Sequence, residues 1–492
     1  MGFEKDGICS PSKQAFFPED HSNTFNKFAE STSLHGVSRI VETKTKHGKI
    51  LWAGLIAGFL VFLCWMLFNV FGSYFSNKSY IMREKRQLQT MQFPTVSFCP
   101  TALLRRSELT NQAGIADYVF HMFKKNENKI NVNNVRVANL LSQEELHNGY
   151  AGMRNVTADA DTFFMKNMNS NCRFGLDTPC NYPLEFKETP VSLFEGVCFN
   201  FNPNGTFHQF GEGSYYGLSI ILFVNQSDTN PFTGFDVGSG VTLVIQSPNT
   251  FPYPLENGIL VSPGAYTRVV LEKRAFKRLP APYPSKCVSK GETIFPGSYT
   301  TRNCKRSCFI RYAKKACGGT DAFVEYYTGE KRNPPMNQSE LVCFYSKQIE
   351  AAWPKHMKDC NCGLQCHEET FLPMISQSKW PSKSDLPHYK KVFAASLGLN
   401  HSTMSDEYVY NNFLKVNIFF SELAYEYVEE MPEWTRQKLI SDIGGQMGIW
   451  IGASLFSVLE LMIFLVYMAK DRFEQWMEKP KNKVTAFSLD TN

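Results

Sequence analysis

Two long apolar stretches interrupt an otherwise mixed pattern of polar and apolar positions. Residues 51–77 contain no Asp, Glu, Lys or Arg, and residues 443–469 contain a single charge, Glu460. A helix needs about 20 apolar residues to cross the roughly 30 Å of hydrocarbon in a bilayer. The pattern therefore predicts two transmembrane helices, the first at 51–77 and the second, with a polar lead-in, at 436–469.

Basic residues cluster on the outer flanks of the two predicted spans. Those before the first span are Arg39, Lys44, Lys46 and Lys49, and those after the second are Lys470, Arg472, Lys479, Lys481 and Lys483. Because Lys and Arg beside a span tend to stay cytoplasmic, both termini are predicted to be cytosolic, with the protein in the plasma membrane in contact with lipid. Residues 1–50 and 470–492 are then cytosolic, and residues 78–435 form an extracellular domain.

The region between the spans carries a mixed α+β pattern. Partial alternation and β-branched residues predict strands at 88–98, 240–246 and 268–272. Apolar residues at helical spacing predict a helix at 111–125, and a capping-box spacing predicts a second helix from Ser142. The net charge of +5 is small for a chain of this size and does not indicate nucleic-acid binding.

Cysteine usage agrees with this topology. Of 14 cysteines, Cys9 and Cys64 fall outside the extracellular region, which leaves an even number there, as a closed disulfide framework requires. The same region carries glycosylation sequons at Asn155, Asn204, Asn225, Asn337 and Asn400.

Within the cysteine-dense segment 287–366, Cys304 and Cys308 would share one helix face, whereas Cys360 and Cys362 suit an extended or looped strand. These spacings allow either a disulfide ladder or a zinc site. An oxidising compartment favours disulfides, so no metal and no cofactor is expected.

The second predicted span contains more than apolar bulk. Gly445, Gly448 and Gly452 would lie on one helical face, where small residues allow close helix packing. Asp442 precedes the span and Glu460 lies within it. A carboxylate ring at the mouth concentrates cations, and an intramembrane carboxylate is costly unless it faces water or a partner.

The Gly452-Ala453-Ser454 triplet stands between these two carboxylates. Its backbone carbonyls and its hydroxyl are hard oxygen ligands that suit a partly dehydrated cation. The span therefore predicts a cation path with a mouth, a constriction and an inner vestibule.

Several motifs resemble those of the degenerin, epithelial sodium and acid-sensing channel family. The run from Asp442 to Gly448, then Gly452-Ala453-Ser454 and Val458-Leu-Glu-Leu461, is similar to that family's pore helix. His35-Gly36 resembles its gating pair, residues 93–99 its first palm strand, and residues 279–287 its turn from palm to thumb.

The resemblance implies an α+β membrane protein with a disulfide-rich, β-centred ectodomain of palm, β-ball, knuckle, finger and thumb. It also implies a trimer, with a homotrimer expected, sodium-favouring conduction and block by amiloride. A small residue before the pore helix, here Ser441, would be needed for closure. The implied disulfides are Cys99–Cys198, Cys172–Cys180, Cys287–Cys366, Cys304–Cys362, Cys308–Cys360 and Cys317–Cys343.

The predicted trigger is a short amidated neuropeptide. Acid-sensing members carry a histidine pair where this chain has Lys78 and Ser79, and the pattern looks closest to invertebrate FMRFamide-gated channels. Such a peptide needs aromatic walls and an acidic partner. The candidate contacts are Asp117, Tyr118, Phe120, Phe123, Glu144 and Phe163. The alternative is that these residues form the core and surface of the finger itself.

Other classes remain open from the residues alone. Proton gating or constitutive activity would keep the family and change the trigger. A two-span adhesion or scavenger receptor would share the topology without needing a pore, and an ATP-gated trimeric channel would share the two spans. An enzyme is not expected, since no nucleophile and base pair is evident.

Overall fold

The computed structural model of the chain describes residues 36–101, 159–192, 195–228, 238–330, 338–351 and 358–477, with a few isolated positions outside these ranges and a few gaps within 159–192. The chain divides into two compact units. One, the sheet unit, comprises residues 80–431. The other, the helical unit, combines residues 1–79 with residues 432–492. The helices predicted at 111–125 and from Ser142 lie outside the described residues.

The strands belong to three sheets. In chain order they are β1 (Ser79–Gln87), β2 (Met91–Gln92), β3 (Thr95–Pro100), β4 (Cys172–Phe174), β5 (Thr178–Pro179), β6 (Phe186–Ser192), β7 (Gly196–Phe201), β8 (His208–Gln209), β9 (Leu218–Phe223), β10 (Val241–Gln246), β11 (Ile259–Val261), β12 (Ala265–Lys277), β13 (His367–Lys379) and β14 (Phe413–Pro432). The largest sheet has the order β13-β12-β14-β9-β4-β5, with β1 also paired to β14. A five-stranded sheet has the order β11-β10-β3-β7-β6, and β2 pairs with β8.

The helices flank these sheets or form the helical unit. In chain order they are α1 (Val37–Glu42), α2 (Lys46–Phe75), α3 (Ala160–Phe163), α4 (Pro254–Asn257), α5 (Thr301–Cys317), α6 (Ala322–Thr328), α7 (Gln338–Ala351), α8 (Leu386–Leu397), α9 (Asp406–Asn412), α10 (Arg436–Ile451) and α11 (Leu455–Met477). Residues 287–366, which contain α5 to α7, are called the thumb segment below.

Two of the three predicted strands are confirmed as single strands, β10 and part of β12. The third, predicted at 88–98, is divided into β2 and β3. Pro94 separates the two, since proline has no backbone N–H to donate to a ladder. The neighbouring Phe93 N–H donates instead to the carbonyl of Phe207, 2.9 Å away.

Aromatic residues dominate the core of the sheet unit. Phe93, Phe98, Phe199 and Phe201 are all at most 1% exposed, and they pack in one cluster with apolar residues of the large sheet such as Val416. A second cluster joins the five-stranded sheet to the thumb segment. The chain is thus a mixed α/β protein with a β-centred core.

Within the described part of the helical unit, one continuous apolar helix, α2, is long enough to cross a membrane. It begins at Lys46 and ends at Phe75, so it starts five residues before the predicted boundary at 51. The second apolar stretch was predicted to form a single helix, but it forms two. α10 and residues 455–470 of α11 are bent by 78° at a short break.

Candidate pore site

The break between α10 and α11 consists of the predicted constriction, Gly452-Ala453-Ser454. Gly452 ends α10 in the left-handed region, with φ of 64° and ψ of 20°. Its N–H donates to the carbonyl of Gly448 at 3.1 Å, and the N–H of Ala453 donates to the carbonyl of Met447 at 3.2 Å. An αL glycine of this kind is a common helix terminator because it lacks a Cβ. The sequence therefore encodes a stop inside the apolar stretch.

Ser454 begins α11 as its N-terminal cap. The N–H of Ser457 donates to Ser454 Oγ at 3.2 Å, and the N–H of Ser454 donates to Ser457 Oγ at 3.0 Å. Ser457 is only 1% exposed. This reciprocal arrangement satisfies two amide groups that a helix start leaves free. Sequence reasoning missed Ser457, although the Ser-x-x-Ser spacing was visible.

The break leaves backbone oxygens available. The Ser454 carbonyl accepts from the N–H of Val458 at 3.1 Å and so begins the ladder of α11. In the described part of the chain, no backbone hydrogen bond reaches the carbonyl of Gly452 or Ala453. These are the carbonyls that the sequence offered as cation ligands.

The glycine register predicted for this stretch needs correction. Gly445 and Gly448 lie within α10, where an added Cβ would meet nothing within 4 Å in the single chain. Gly452 does not continue their helical face, because its backbone has left the helix. Its role in the structure is conformational, and the open glycine face is formed by the other two.

The predicted mouth and vestibule residues lie on either side of the break. Ser441 is exposed and Asp442 is half-buried in the second turn of α10, roughly 15 Å along the helix axis from Gly452 at 1.5 Å per residue. Glu460 is half-buried in the second turn of α11. Their roles as mouth and vestibule stay predictions.

An aromatic contact joins α10 to α2. The Trp450 ring lies 4.5 Å from that of Phe62 and 6.0 Å from that of Phe59, measured between centroids. Trp450 Nε1 donates to Gln446 Oε1 at 3.0 Å, so its polar atom is satisfied within its own helix. The last turn of α10, directly before the break, is therefore held against the continuous helix.

The predicted gating pair precedes α1. His35 lies outside the described residues. Gly36 has φ of 83°, and an added Cβ would meet Ile56 Cδ1 of α2 at 3.3 Å. Glycine fits here for both reasons, since the left-handed conformation and the close approach each disfavour a side chain.

All six disulfides implied by the resemblance are confirmed: Cys99–Cys198, Cys172–Cys180, Cys287–Cys366, Cys304–Cys362, Cys308–Cys360 and Cys317–Cys343. The zinc alternative for the thumb segment is therefore wrong. Among the described residues, no group of three or more His, Cys, Asp or Glu is arranged to hold a metal ion.

One of the six predicted peptide contacts, Phe163, lies among the described residues. Asp117, Tyr118, Phe120, Phe123 and Glu144 lie outside the described residues. Phe163 is 4% exposed, and its ring lies 5.6 Å from that of Phe199. The structure thus corrects the expectation for Phe163, which is a core residue that a ligand would have to displace.

The sequons fall into two groups. Asn204 and Asn400 are exposed and Asn225 is half-buried, so the first two present accessible amides. Asn155 and Asn337 lie outside the described residues. Glycosylation at each of the five stays a prediction.

Ion pairs follow β12 along its length. Basic residues in and just after this strand each lie 2.7 Å from a carboxylate of β13 or β14. The pairs are Lys273–Glu369, Arg274–Glu426, Lys277–Glu429 and Arg278–Glu368. The hydrogen bond from Lys277, together with its charge, lowers the pKa of Glu429. The carboxylate of Glu429 is therefore held in its ionised form.

Known proteins resemble this chain over nearly its whole length. A family model described as amiloride-sensitive sodium channel matches residues 28–464. The human bile acid-sensitive ion channel is 26% identical over 513 aligned residues, covering 97% of this chain and 95% of its own length. Acid-sensing ion channel 4-B of Danio rerio is 24% identical, covering 93% of this chain and 78% of its own length.

A degenerin is also similar. Degenerin del-1 of Caenorhabditis elegans is 29% identical over 296 residues, covering 58% of this chain and 42% of its own length. The family match extends from the segment before α1 through both apolar stretches to Phe464. The chain therefore belongs to the amiloride-sensitive sodium channel family, whose members are ion channels and not enzymes.

Proposed function

We propose that this chain is a subunit of a sodium-selective channel whose narrowest part is the break at Gly452-Ala453-Ser454. The observation that carries the proposal is the non-helical backbone in the middle of an apolar stretch. At membrane depth, such backbone is tolerated only where protein buries it or where it lines a water-filled path. An anchor would have no use for it.

The surrounding residues supply a cation path. Asp442 stands before the break and Glu460 after it, and the carbonyls of Gly452 and Ala453 lie between them. Carboxylates attract cations, and carbonyl oxygens replace the water molecules around a cation. This chemistry suits a sodium pathway, which amiloride would block. Both apolar stretches would then cross the plasma membrane with cytosolic termini.

The pore is tested by a bulky charge at the break. Gly452→Arg should abolish sodium current while the protein still reaches the cell surface. Gly398→Arg is the matched control, because Gly398 also ends a helix in the left-handed region, with φ of 66° and ψ of 24°, but lies in the sheet unit. Equal loss of current in both variants, or full current in Gly452→Arg, would count against the pore.

A homotrimer is the proposed assembly. Strand β13 is the edge of the large sheet and exposes Leu372, Met374 and Ile375. A long edge strand with exposed apolar side chains is a hazard unless something covers it, and a second copy of the chain is a simple cover. A bifunctional amine reagent that links surface lysines in intact cells should give a ladder ending at the trimer, whereas a persistent monomer would refute this packing.

The proposed trigger is a short FMRFamide-type neuropeptide. The Lys277–Glu429 pair supports a trigger other than protons, since a carboxylate with a lowered pKa does not bind a proton in mild acid. Lys78 and Ser79 support the same conclusion, because neither is the histidine that suits proton sensing. The candidate contacts are Asp117, Tyr118, Phe120, Phe123 and Glu144.

An amphipathic anion is the second candidate trigger. One relative is named for sensitivity to bile acids. A cleft of about 480 Å³ lies between β10, the start of β13 and the start of α5. Its apolar wall includes Ile259, Leu364 and Phe371, and its charged lining consists of Arg302 and the carboxylates Glu368 and Glu369. That volume suits one small ligand.

An agonist screen under voltage clamp separates these triggers. FMRFamide at neutral pH should evoke sodium current that amiloride blocks, and the same peptide with a free carboxylate is the matched control. Taurocholate and a step to about pH 6 are the competing stimuli. Current with taurocholate or acid, and none with FMRFamide, would reverse the assignment.

A further inference from the structure

A buried ion pair joins the thumb segment to the hairpin formed by β6 and β7. Arg306 of α5 donates from Nη2 to Glu195 Oε2 at 2.6 Å. The Arg306 side chain is 19% exposed and that of Glu195 is 5% exposed. Glu195 lies in the turn of the hairpin, and its carboxylate also accepts a hydrogen bond from Ser192 Oγ at 2.9 Å. Most other ion pairs along the thumb segment are far more open.

Aromatic rings complete the socket for the guanidinium. Its carbon atom lies 5.3 Å from the ring centre of Tyr253 and 5.8 Å from that of Phe295, within the range of cation–π attraction. Tyr253 donates from its hydroxyl to Asn303 Oδ1 at 2.7 Å, and Asn303 is fully buried. Burial raises the pKa of Tyr253, so its hydroxyl remains a donor. The socket is therefore built and not a chance surface contact.

Two further links connect the same parts. The Tyr327 hydroxyl of α6 donates to the carbonyl of Pro190 in β6 at 2.5 Å. In β7, Cys198 is bonded to Cys99 of β3, so the hairpin is fixed to the centre of the five-stranded sheet. The hairpin therefore contacts two helices of the thumb segment, α5 and α6, and is joined to β3 by a disulfide.

The charges do more than fill space. Replacing a buried ion pair by apolar residues of similar volume is often neutral or stabilising, whereas removing one partner leaves a buried charge without compensation. A pair of this kind holds two elements in one relative geometry, because the guanidinium fork fits a carboxylate in few orientations. Bulk stability alone does not require it.

We propose that Arg306 and Glu195 are positioning residues for gating: their ion pair makes the thumb segment and the β6–β7 hairpin move as one body when the channel opens. The inference rests on the proposed function of a gated channel, and it identifies the Arg306–Glu195 ion pair as the contact that transmits the motion. Neither residue touches the permeant ion. Their effect on opening is transmitted through the hairpin and the disulfide to β3.

The test uses neutral polar variants of the full-length channel: Arg306→Gln, Glu195→Gln and the double variant. The matched control is Lys314–Glu330, an exposed ion pair that also involves α5, treated in the same way. Arg306→Lys, which keeps the charge and loses the fork, serves where Arg306→Gln does not reach the surface.

Hydrogen exchange on the purified channel reads the joint directly. Arg306→Gln should speed exchange at the amides of Glu195 and Gly196 as well as in α5, by at least about threefold, because directly contacting charges are energetically coupled. The Lys314 variant should leave the turn unchanged. Faster exchange confined to α5 would overturn the proposal. This measurement needs no agonist, so it stands apart from a failure of the proposed trigger.

Gating supplies the second readout. Each single variant should shift the agonist concentration for half-maximal current by at least about threefold, and the double variant should shift it by less than the product of the two. The Lys314 and Glu330 variants should shift it by less than about twofold. A purely structural pair would instead lower the amount of channel at the surface and leave the midpoint of those channels unchanged.

Discussion

Substitution of Gly452 tests the break by its backbone conformation alone. Gly452→Ala adds one methyl group to a residue with φ of 64°. The left-handed conformation costs an L-residue about 1–2 kcal/mol, and alanine also favours a continuing helix over glycine by about 0.5–1 kcal/mol. The two effects act in the same direction, which gives about 1.5–3 kcal/mol against the break in each subunit.

That free energy is large on the scale of a conformational equilibrium. Since about 1.4 kcal/mol is a factor of ten, the broken form should become roughly 10- to 100-fold less favourable relative to a continuous helix. We expect the sodium current per surface channel to fall by about tenfold or more. Gly452→Asn should retain more current, because asparagine tolerates the left-handed region better than alanine does.

The assay is whole-cell current divided by surface biotinylation, with the reversal potential measured in mixed sodium and potassium. Gly398→Ala carries the same backbone cost outside the helical unit and should leave the permeability ratio unchanged. Gly444→Ala places a methyl group in open space on α10 and should have little effect. Wild-type current in Gly452→Ala, or equal effects of alanine and asparagine, would refute the reasoning.

Three further outcomes are expected. Glu460→Gln should change conductance or cation selectivity more than surface expression, and unchanged single-channel currents would remove Glu460 from the path. Because the pKa of Glu429 is lowered in the folded protein, its carboxylate stabilises the folded state at pH values above the ordinary carboxyl pKa of about 4.3. This contribution is lost as the pH falls through the lower pKa of the folded state. Lys277→Met should therefore move the acid transition of the purified channel to higher pH. Replacing both Cys317 and Cys343 by serine opens a loop with a sequence separation of 26 and should cost about 3–4 kcal/mol, read as a lower melting temperature with unchanged permeability ratio.

The disulfide framework shows how much the sequence contained. Cys304 and Cys308 are one helical turn apart in α5, and their partners Cys362 and Cys360 run in the opposite direction, so the two bonds form adjacent rungs. Spacing predicted the two rows, and the family resemblance supplied the partners. Periodicity alone could not have chosen disulfides over zinc, because both suit the same spacing.

The second apolar stretch shows where sequence reasoning failed. Hydropathy is uniform across Gly452, so a window over the stretch predicts one helix. The break depends on the left-handed backbone of one glycine and on the hydroxyl groups of Ser454 and Ser457, which are local hydrogen-bonding effects that hydropathy does not measure. The prediction for Phe163 was wrong for another reason: an aromatic residue gives the same sequence signal in a protein core as in a binding site.

The two helix ends at Gly452 and Ser454 also have an electrostatic consequence. A continuous helix carries its partial charges only at its termini, whereas an interrupted one brings a negative carboxyl end and a positive amino end to the same depth. The serine pair satisfies amides at the amino end, while the carboxyl end of α10 presents carbonyl oxygens. In the proposed pore, this imbalance would attract a cation to the break without an ionised side chain at Gly452, Ala453 or Ser454.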